Sequence, residues 1–490
     1  MYGFRKEDDV MNYRLIGNIL GKILWVEAAF LLVPLAVSLL GRDGCAAAFA
    51  VSVALCLALG AVPLLFPIRR QRMQSIDGYV AVALSWLCLS LLGAVPYLLT
   101  GAIPRFADAI FETASGFTTT GATILSAVEH LPPSVLLWRS LTQWMGGMGV
   151  LVLFLALMPK TGDGAVFLMR AESPGPIKSK LVPKLSQTAK ILYFLYVGLT
   201  AAEALALRIV GVSWFDAVNH AFTTMATGGF STHNGGVGDL GGAAVTWVIT
   251  LFTFFAGVNF SMLYLVLKGR FREVWHNQEL RLYVTLIAAY ITVITLSLMR
   301  QSGLSLGQSI TDAAFQVITL ITTTGYATAD FALWPVLCQA ILLLCMISGG
   351  CAGSTSGGMK VSRIQLLGRS MGRELDKLAH PSRVGVISLD GQAVSERSIA
   401  NAHAFAVAYA FTLLAGMLVV SADNIGLLES LTASLTCVSN VGPGLGALGP
   451  MSNFGGLSDV SKYVLSVLML MGRLELMPIL ALMMRNTWRK

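Results

Sequence analysis

Four short stretches of threonine and glycine carry the residue types best suited to chemistry in this chain. Thr118-Thr119-Thr120-Gly121 is followed by Met225-Ala226-Thr227-Gly228, Thr322-Thr323-Thr324-Gly325 and Ser439-Asn440-Val441-Gly442, with glycine-to-glycine intervals of 107, 97 and 117 residues. Backbone carbonyls are neutral oxygen ligands that replace the hydration shell of a monovalent cation without the full charge that would trap it. Turning successive carbonyls to one side demands backbone angles that glycine adopts at little cost, so one glycine per loop is expected. A threonine before the glycine can add a hydroxyl oxygen. One such loop reads equally well as a turn between helices, whereas four in matched surroundings read as a ring. The candidate cation ligands are Thr118, Thr119, Thr120 and Gly121, then Ala226, Thr227 and Gly228, then Thr323, Thr324 and Gly325, and finally Asn440, Val441 and Gly442. The fourth copy is the least threonine-like, so the ring is expected to be only roughly fourfold.

The elements around these loops repeat as well. An acid stands 12 or 13 residues before each glycine, at Asp108, Asp216, Asp312 and Glu429. Each opens a short amphipathic run, where a carboxylate favours a helix start through capping and the helix dipole; the same four carboxylates would also concentrate cations at a pore mouth. A long apolar run lies on either side of each short helix and loop. The spans read at about 76 to 100 and 134 to 158, 184 to 210 and 243 to 268, 280 to 300 and 335 to 350, and 398 to 420 and 459 to 486. A preceding pair, about 15 to 40 and 45 to 67, has no such loop and is read as a retained hairpin, because it lacks a small-residue cleavage site. The expected organisation is an N-terminal hairpin (1–70) and four parallel repeats, 71–160, 161–270, 271–385 and 386–490. Short helices that enter and return are tolerated in a membrane only when protein or water surrounds them, so the four must share a centre.

Composition sets the medium. Of 490 residues 55% are apolar and only 12% charged, half the charge of an ordinary soluble domain, and ten segments approach the roughly 20 apolar residues of a bilayer span. The fold class is therefore an all-α integral membrane protein whose solvent is the lipid bilayer. Most bases of the +8 chain fall in the N-terminal tail and in segments 69 to 72, 160 to 190, 268 to 281, 360 to 397 and 485 to 490. Alternating spans put all of these on one side, which the positive-inside rule makes cytoplasmic, together with both termini. No aromatic-interleaved basic patch supports nucleic acid binding. The seven cysteines form no CxxC pair and read as apolar packing residues, and the six histidines show no metal-ligand spacing.

Beneath the loops, each second span carries glycine 24 to 30 residues after the loop glycine: Gly146 with Gly147, Gly257, Gly349 with Gly350, and Gly472. Such residues let helices approach closely. Arg473 follows the last of them, about fourteen residues into an apolar span, where an arginine is expensive unless it faces a cavity or partner. Glu475 points to another face and has no partner nameable from sequence. The third unit's second span runs into Gly349, Gly350, Gly353, Ser354, Thr355, Ser356, Gly357 and Gly358, a stretch that will not stay helical. Met359 before Lys360 leaves it without the GK[ST] ending of a phosphate-binding loop.

Four single-glycine loops in one polypeptide, preceded by a hairpin, resemble the Trk/Ktr/HKT superfamily of potassium transporters, and most closely its Trk-type transmembrane subunit, over essentially the whole chain. The resemblance implies a bacterial inner-membrane protein that takes up potassium through a selectivity filter, with K+ bound at the loops as the transported ion and no organic cofactor. Glycine at Gly121, where sodium-passing members carry serine, implies potassium; Asn440 and Val441 depart from the family's threonine pattern. It implies further that residues 349 to 358 and Arg473 form the gate, that the subunit pairs as a homodimer, and that a cytoplasmic nucleotide-binding (NAD or ATP) regulatory subunit docks on it, with the seven-base segment from Lys360 to Arg397 on the same face. A secondary transporter, working by alternating access with symport of Na+ or H+, remains the alternative, although inverted repeats and intramembrane carboxylates would suit it better. A membrane enzyme would need clustered His, Asp, Glu or Cys, and the spans offer only Arg473, Glu475, Glu203 and Glu27, scattered.

Overall fold

The computed structural model describes residues 11–66, 73–149, 185–382 and 385–484. Within them α1 (Tyr13–Gly41) and α2 (Ala46–Leu64) pack along each other. Gly21 and Gly60 lie back to back, where a side chain on either would overlap the other's carbonyl, so the two helix backbones touch. Asp43 in the connecting turn accepts from the Ser134 amide at 3.2 Å and so ties the hairpin to the first repeat. Partial burial pushes its carboxyl up, but hydrogen bonds from Ser134, Ser38 and the Cys45 amide outweigh that and hold it below the usual carboxylate range.

The repeating elements follow. The first set is α3 (Ser75–Leu92) continued by α4 (Val95–Thr100), the short helix α5 (Phe106–Phe117) and α6 (Pro133–Gly147). The second is α7 (Leu185–Ile209), α8 (Trp214–Met225), α9 (Ala243–Ala256) and α10 (Phe260–Leu267). After α11 (Phe271–His276), the third is α12 (Gln278–Gln301), α13 (Leu306–Ile321), α14 (Val336–Ser348) and α15 (Val361–Ala379). The last is α16 (Glu396–Ser421), α17 (Leu427–Ser439), α18 (Asp459–Arg473) and α19 (Met477–Met483). Before α16, strands β1 (Ser388–Leu389) and β2 (Gln392–Ala393) form a small antiparallel hairpin. Asp390-Gly391 closes it with both φ angles positive, the signature of a tight two-residue turn.

Three expectations change. Instead of ten full spans, six described helices have the length and apolarity to cross a membrane, seven if α9 and α10 count as one. The second members of the repeats are the short ones, and each stops at its glycine. Between α9 and α10 the chain bends by 104° at Gly257 to Asn259, with Asn259 capping α10 through the Ser261 amide at 2.8 Å. α18 ends at Arg473, and Glu475 and Leu476 turn with φ of 54° and 66° before α19. Interruption is thus shared by all four second spans, not confined to the third; the first one's continuation, at 150 to 158, lies outside the described residues, as do the basic stretches at 69 to 72, 160 to 184 and 485 to 490. Finally, the short helices do not all begin at their acids. Asp108, Asp216 and Glu429 sit in first turns, but α13 starts at Leu306 behind the cap Ser305, which leaves Asp312 a turn further in.

Candidate functional site

The C-terminal ends of α5, α8, α13 and α17 deliver the four Thr-Gly loops with one backbone geometry. Thr119, Thr227, Thr323 and Asn440 have φ of 56°, 54°, 58° and 56°, and two residues later Gly121, Gly229, Gly325 and Gly442 have φ of 81°, 78°, 79° and 106°. Amide bonds agree: Thr120, Gly228, Thr324 and Val441 donate to Ser115, Thr223, Thr319 and Thr436 respectively. The second loop is therefore shifted by one from its sequence alignment. Gly229, not Gly228, is the counterpart of Gly121, and Gly228 occupies the place of Thr120. With Gly229 the acid-to-glycine spacing becomes 13 in every unit, so the uneven spacing was the signal that the alignment had slipped.

The loops touch in cyclic order. A side-chain carbon on Gly121 would overlap the Gly228 carbonyl, one on Gly229 the Thr324 carbonyl, and one on Gly325 the Val441 carbonyl, while one on Gly442 would lie 2.7 Å from the Thr120 carbonyl. Each glycine thus lacks a Cβ because the next loop's backbone is in its place, and the fourth loop closes onto the first. Threonine at positive φ is a backbone outlier for a β-branched residue, costing on the order of 1–3 kcal/mol. Three such residues at one level of a ring are strain held by the surrounding structure. Asn440 adopts that angle more readily, and its side chain spans two elements, donating to Thr120 Oγ1 at 3.0 Å and to the Met469 carbonyl at 2.9 Å. The departure of the fourth loop from threonine therefore supplies a cross-link between loops four and one.

The second-span glycines seat helix ends against these loops. A side chain on Gly146 would overlap the Phe117 carbonyl, and one on Gly472 the Val438 carbonyl; on Gly147 it would lie 2.7 Å from Ala226 and on Gly257 2.5 Å from Thr322. Gly472→Ala is accordingly expected to force α18 from α17, at about 1–3 kcal/mol for an overpacked contact, read as a lower thermal unfolding midpoint in detergent. An unchanged midpoint would show that the helices part freely there.

Residues 349 to 360 form a non-helical loop, as the run of glycines requires, and its backbone has defined partners. Cys351 N donates to Gly257 O at 3.0 Å, Phe260 N to Gly353 O at 3.0 Å, and Thr355 Oγ1 to Ala256 O at 3.1 Å, so the α9–α10 break is the loop's seat. Glu279 accepts from Ala352 N at 2.6 Å and Ser362 N at 3.1 Å. Lys360 Nζ donates to Ser356 O. Arg473 donates to Thr355 O at 2.7 Å and to Gly146 O and Gly147 O at 2.5 Å each. One guanidinium thereby bridges the end of α18, the loop between α14 and α15 and the end of α6. Glu475 gains its partner in Arg363.

Several polar residues that hold the site escaped the reading of the sequence. Glu112 of α5 and Arg139 of α6 pair at 2.8 Å with almost no exposure. Gln143 donates to Gly228 O at 2.7 Å and accepts from Phe230 N at 3.1 Å. Lys462, fully buried, pairs with Asp108 at 2.5 Å, which neutralises one of the four acids; Asp216 is held by Ser213 and Thr232 at 2.7 Å each. Charged or amide side chains deep in apolar runs were a usable signal for Glu112, Arg139, Gln143 and Lys462. Glu27 and Glu203 stand on different helices, and among the described residues no group of three or more His, Cys, Asp or Glu gathers to hold a metal.

Comparisons with known proteins agree with this architecture. Residues 46–489 match the TrkH family model, described as cation transport protein. The Trk system potassium uptake protein TrkH of Salmonella typhimurium is 37% identical over 98% of this chain and all of its own, and that of Escherichia coli is 37% identical over the same shares. The crystal structure of the potassium transporter TrkH from Vibrio parahaemolyticus superposes with a TM-score of 0.87 at 35% identity, covering 98% of this chain and 100% of that one. With 37% identity to named relatives over nearly the whole chain, a matching fold and four glycine-bearing loops in one polypeptide, the chain belongs to the TrkH family of cation transport proteins.

Proposed function

We propose that this chain is the potassium-conducting membrane subunit of a bacterial uptake system, selecting the ion at the four-loop ring and closed by residues 349 to 358 with Arg473. The observation that carries this reading is the cyclic contact of the loops at matched positive-φ positions, since a ring of one chain's own carbonyls is what dehydrating a monovalent cation requires. Loops at Thr118 to Gly121, Ala226 to Gly229, Thr322 to Gly325 and Ser439 to Gly442 are the ion-binding residues, each repeat contributing one. Potassium is the transported ion because the relatives are named for potassium uptake, and Gly121 agrees with the potassium-type first loop of the family it resembles. No enzymatic chemistry is involved. Their naming as parts of a Trk system supports a partner; a nucleotide-binding regulatory subunit on the cytoplasmic side and a homodimeric membrane part complete the reading.

The test is cation flux into proteoliposomes, comparing potassium, rubidium, sodium and lithium for wild type and Gly121→Ser. Wild type is expected to favour potassium and rubidium. The variant should lose about tenfold in potassium over sodium, the factor for roughly 1.4 kcal/mol of strain at this position. Equal passage of all four ions by wild type, or unaltered selectivity in the variant, rejects the assignment.

A further inference from the structure

One hydrogen bond runs from the intramembrane loop directly into the ring: the Gly357 amide donates to Thr323 Oγ1 at 2.6 Å, with both groups buried. Thr323 is one of the three threonines held at positive φ. Its two counterparts are treated differently, since the Thr119 hydroxyl has no hydrogen-bond partner among the described residues and Thr227 Oγ1 turns onto the carbonyl of Ala226 at 2.6 Å. Thr323 is thus the threonine of this level whose hydroxyl is held by a separate segment. Gly357 presses on the fourth loop as well, because a side chain there would overlap Ser439 O and lie 3.0 Å from Asn440 Cβ. Two residues earlier, Thr355 O is the acceptor that Arg473 holds. The same short segment therefore connects the arginine bridge with loops three and four of the ring.

Resting on the filter-and-gate reading above, we propose that Thr323 is a positioning residue through which ion selection depends on the closed loop. With the loop in place, the Gly357 amide orients the Thr323 hydroxyl and supports its strained backbone. When the loop withdraws, the donor leaves with it, and the hydroxyl must find another acceptor or donor within loop three. Selection and closure then share one bond, and by linkage a cation that fits the ring favours the loop position that completes it. Valine at 323 keeps the branched shape and removes only the hydroxyl, which strands a buried amide and weakens closure; serine keeps the hydroxyl.

The experiment uses the full chain in proteoliposomes, measuring basal potassium influx and the potassium-to-sodium ratio for wild type, Thr323→Val, Thr323→Ser, Arg473→Ala and the Thr323→Val/Arg473→Ala double variant. Thr323→Val is expected to raise influx and lower the ratio together, each about tenfold, the factor for a net hydrogen bond with its stranded donor. Thr323→Ser should stay within about twofold of wild type. Arg473→Ala, which frees the loop while leaving the ring's sequence intact, should lower the ratio by itself, and Thr323→Val should add little on that background. A selective wild type combined with a Thr323→Val that moves only one quantity or neither overturns this inference alone, as does an Arg473→Ala that leaves the ratio intact or full additivity in the double variant. A wild type without preference for potassium overturns the filter reading and this inference with it.

Discussion

Arg473→Ala should raise basal potassium flux at least about tenfold, with no activating partner present. The guanidinium donates to three carbonyls that belong to two other parts of the chain, Thr355 O in the loop between α14 and α15 and Gly146 O and Gly147 O at the end of α6. A hydrogen bond from a charged donor contributes about 1.5–3 kcal/mol, so losing the weakest single one already shifts a closed-to-open equilibrium by about an order of magnitude. Alanine also removes a side chain that joins α18 to both of these segments at once. Lysine is not an adequate substitute, because its ammonium is a point charge on a flexible stem without the planar fork that reaches divergent acceptors. Arg473→Lys should therefore give an intermediate flux. Potassium or rubidium uptake into proteoliposomes measures both, and an Arg473→Ala rate equal to wild type would reject the proposed barrier role of this residue.

Glu112→Gln is expected to be the most destabilising of the substitutions considered, by about 3–5 kcal/mol, because it strands a buried charge. Arg139 pairs with Glu112 at 2.8 Å, donates to Ser231 O at 3.2 Å and lies 4.1 Å over the Phe230 ring. Glu112 also accepts from Thr123 Oγ1 and the Ile124 amide at 3.0 Å each. The pair thus holds the outgoing limbs of loops one and two against α6. Removing both charges in Glu112→Gln/Arg139→Met leaves no uncompensated ion, so the double variant should recover part of the single variant's loss. Thermal unfolding of the detergent-solubilised protein measures this. A double variant as destabilised as the sum of the singles would show that the two residues act independently.

How much was legible depended on whether a property is local. Membrane class, the all-α fold and the hairpin could be read because apolar length and charge placement are properties of contiguous residues. The same holds for the four loops, since Thr-Gly at repeated spacing is visible without contacts. The slip at Gly228 and Gly229 shows the limit: two adjacent glycines satisfy the same pattern, and only the amide bonds and φ angles distinguish them. Likewise the helix breaks at Gly257 and Glu475 lie in runs apolar enough to pass as continuous spans, because hydropathy does not record where a neighbouring backbone requires a helix to end. The seat of residues 349 to 360 on the α9–α10 break, and the Arg363 partner of Glu475, join residues about a hundred positions apart.

By itself, then, the sequence determined the medium, the helical class and the presence of four glycine-punctuated loops, in a chain that must bury its backbone in protein or lipid. Only the tertiary structure decided that the loops close in cyclic order, that Asn440 replaces threonine as a cross-link, and that Arg473 grips the first and third repeats at once. The physical reason is that lipid offers no donors or acceptors, so the helix-end and loop groups that local bonds leave over must find partners on distant segments. Residue types announce the need for such partners, and packing alone chooses them.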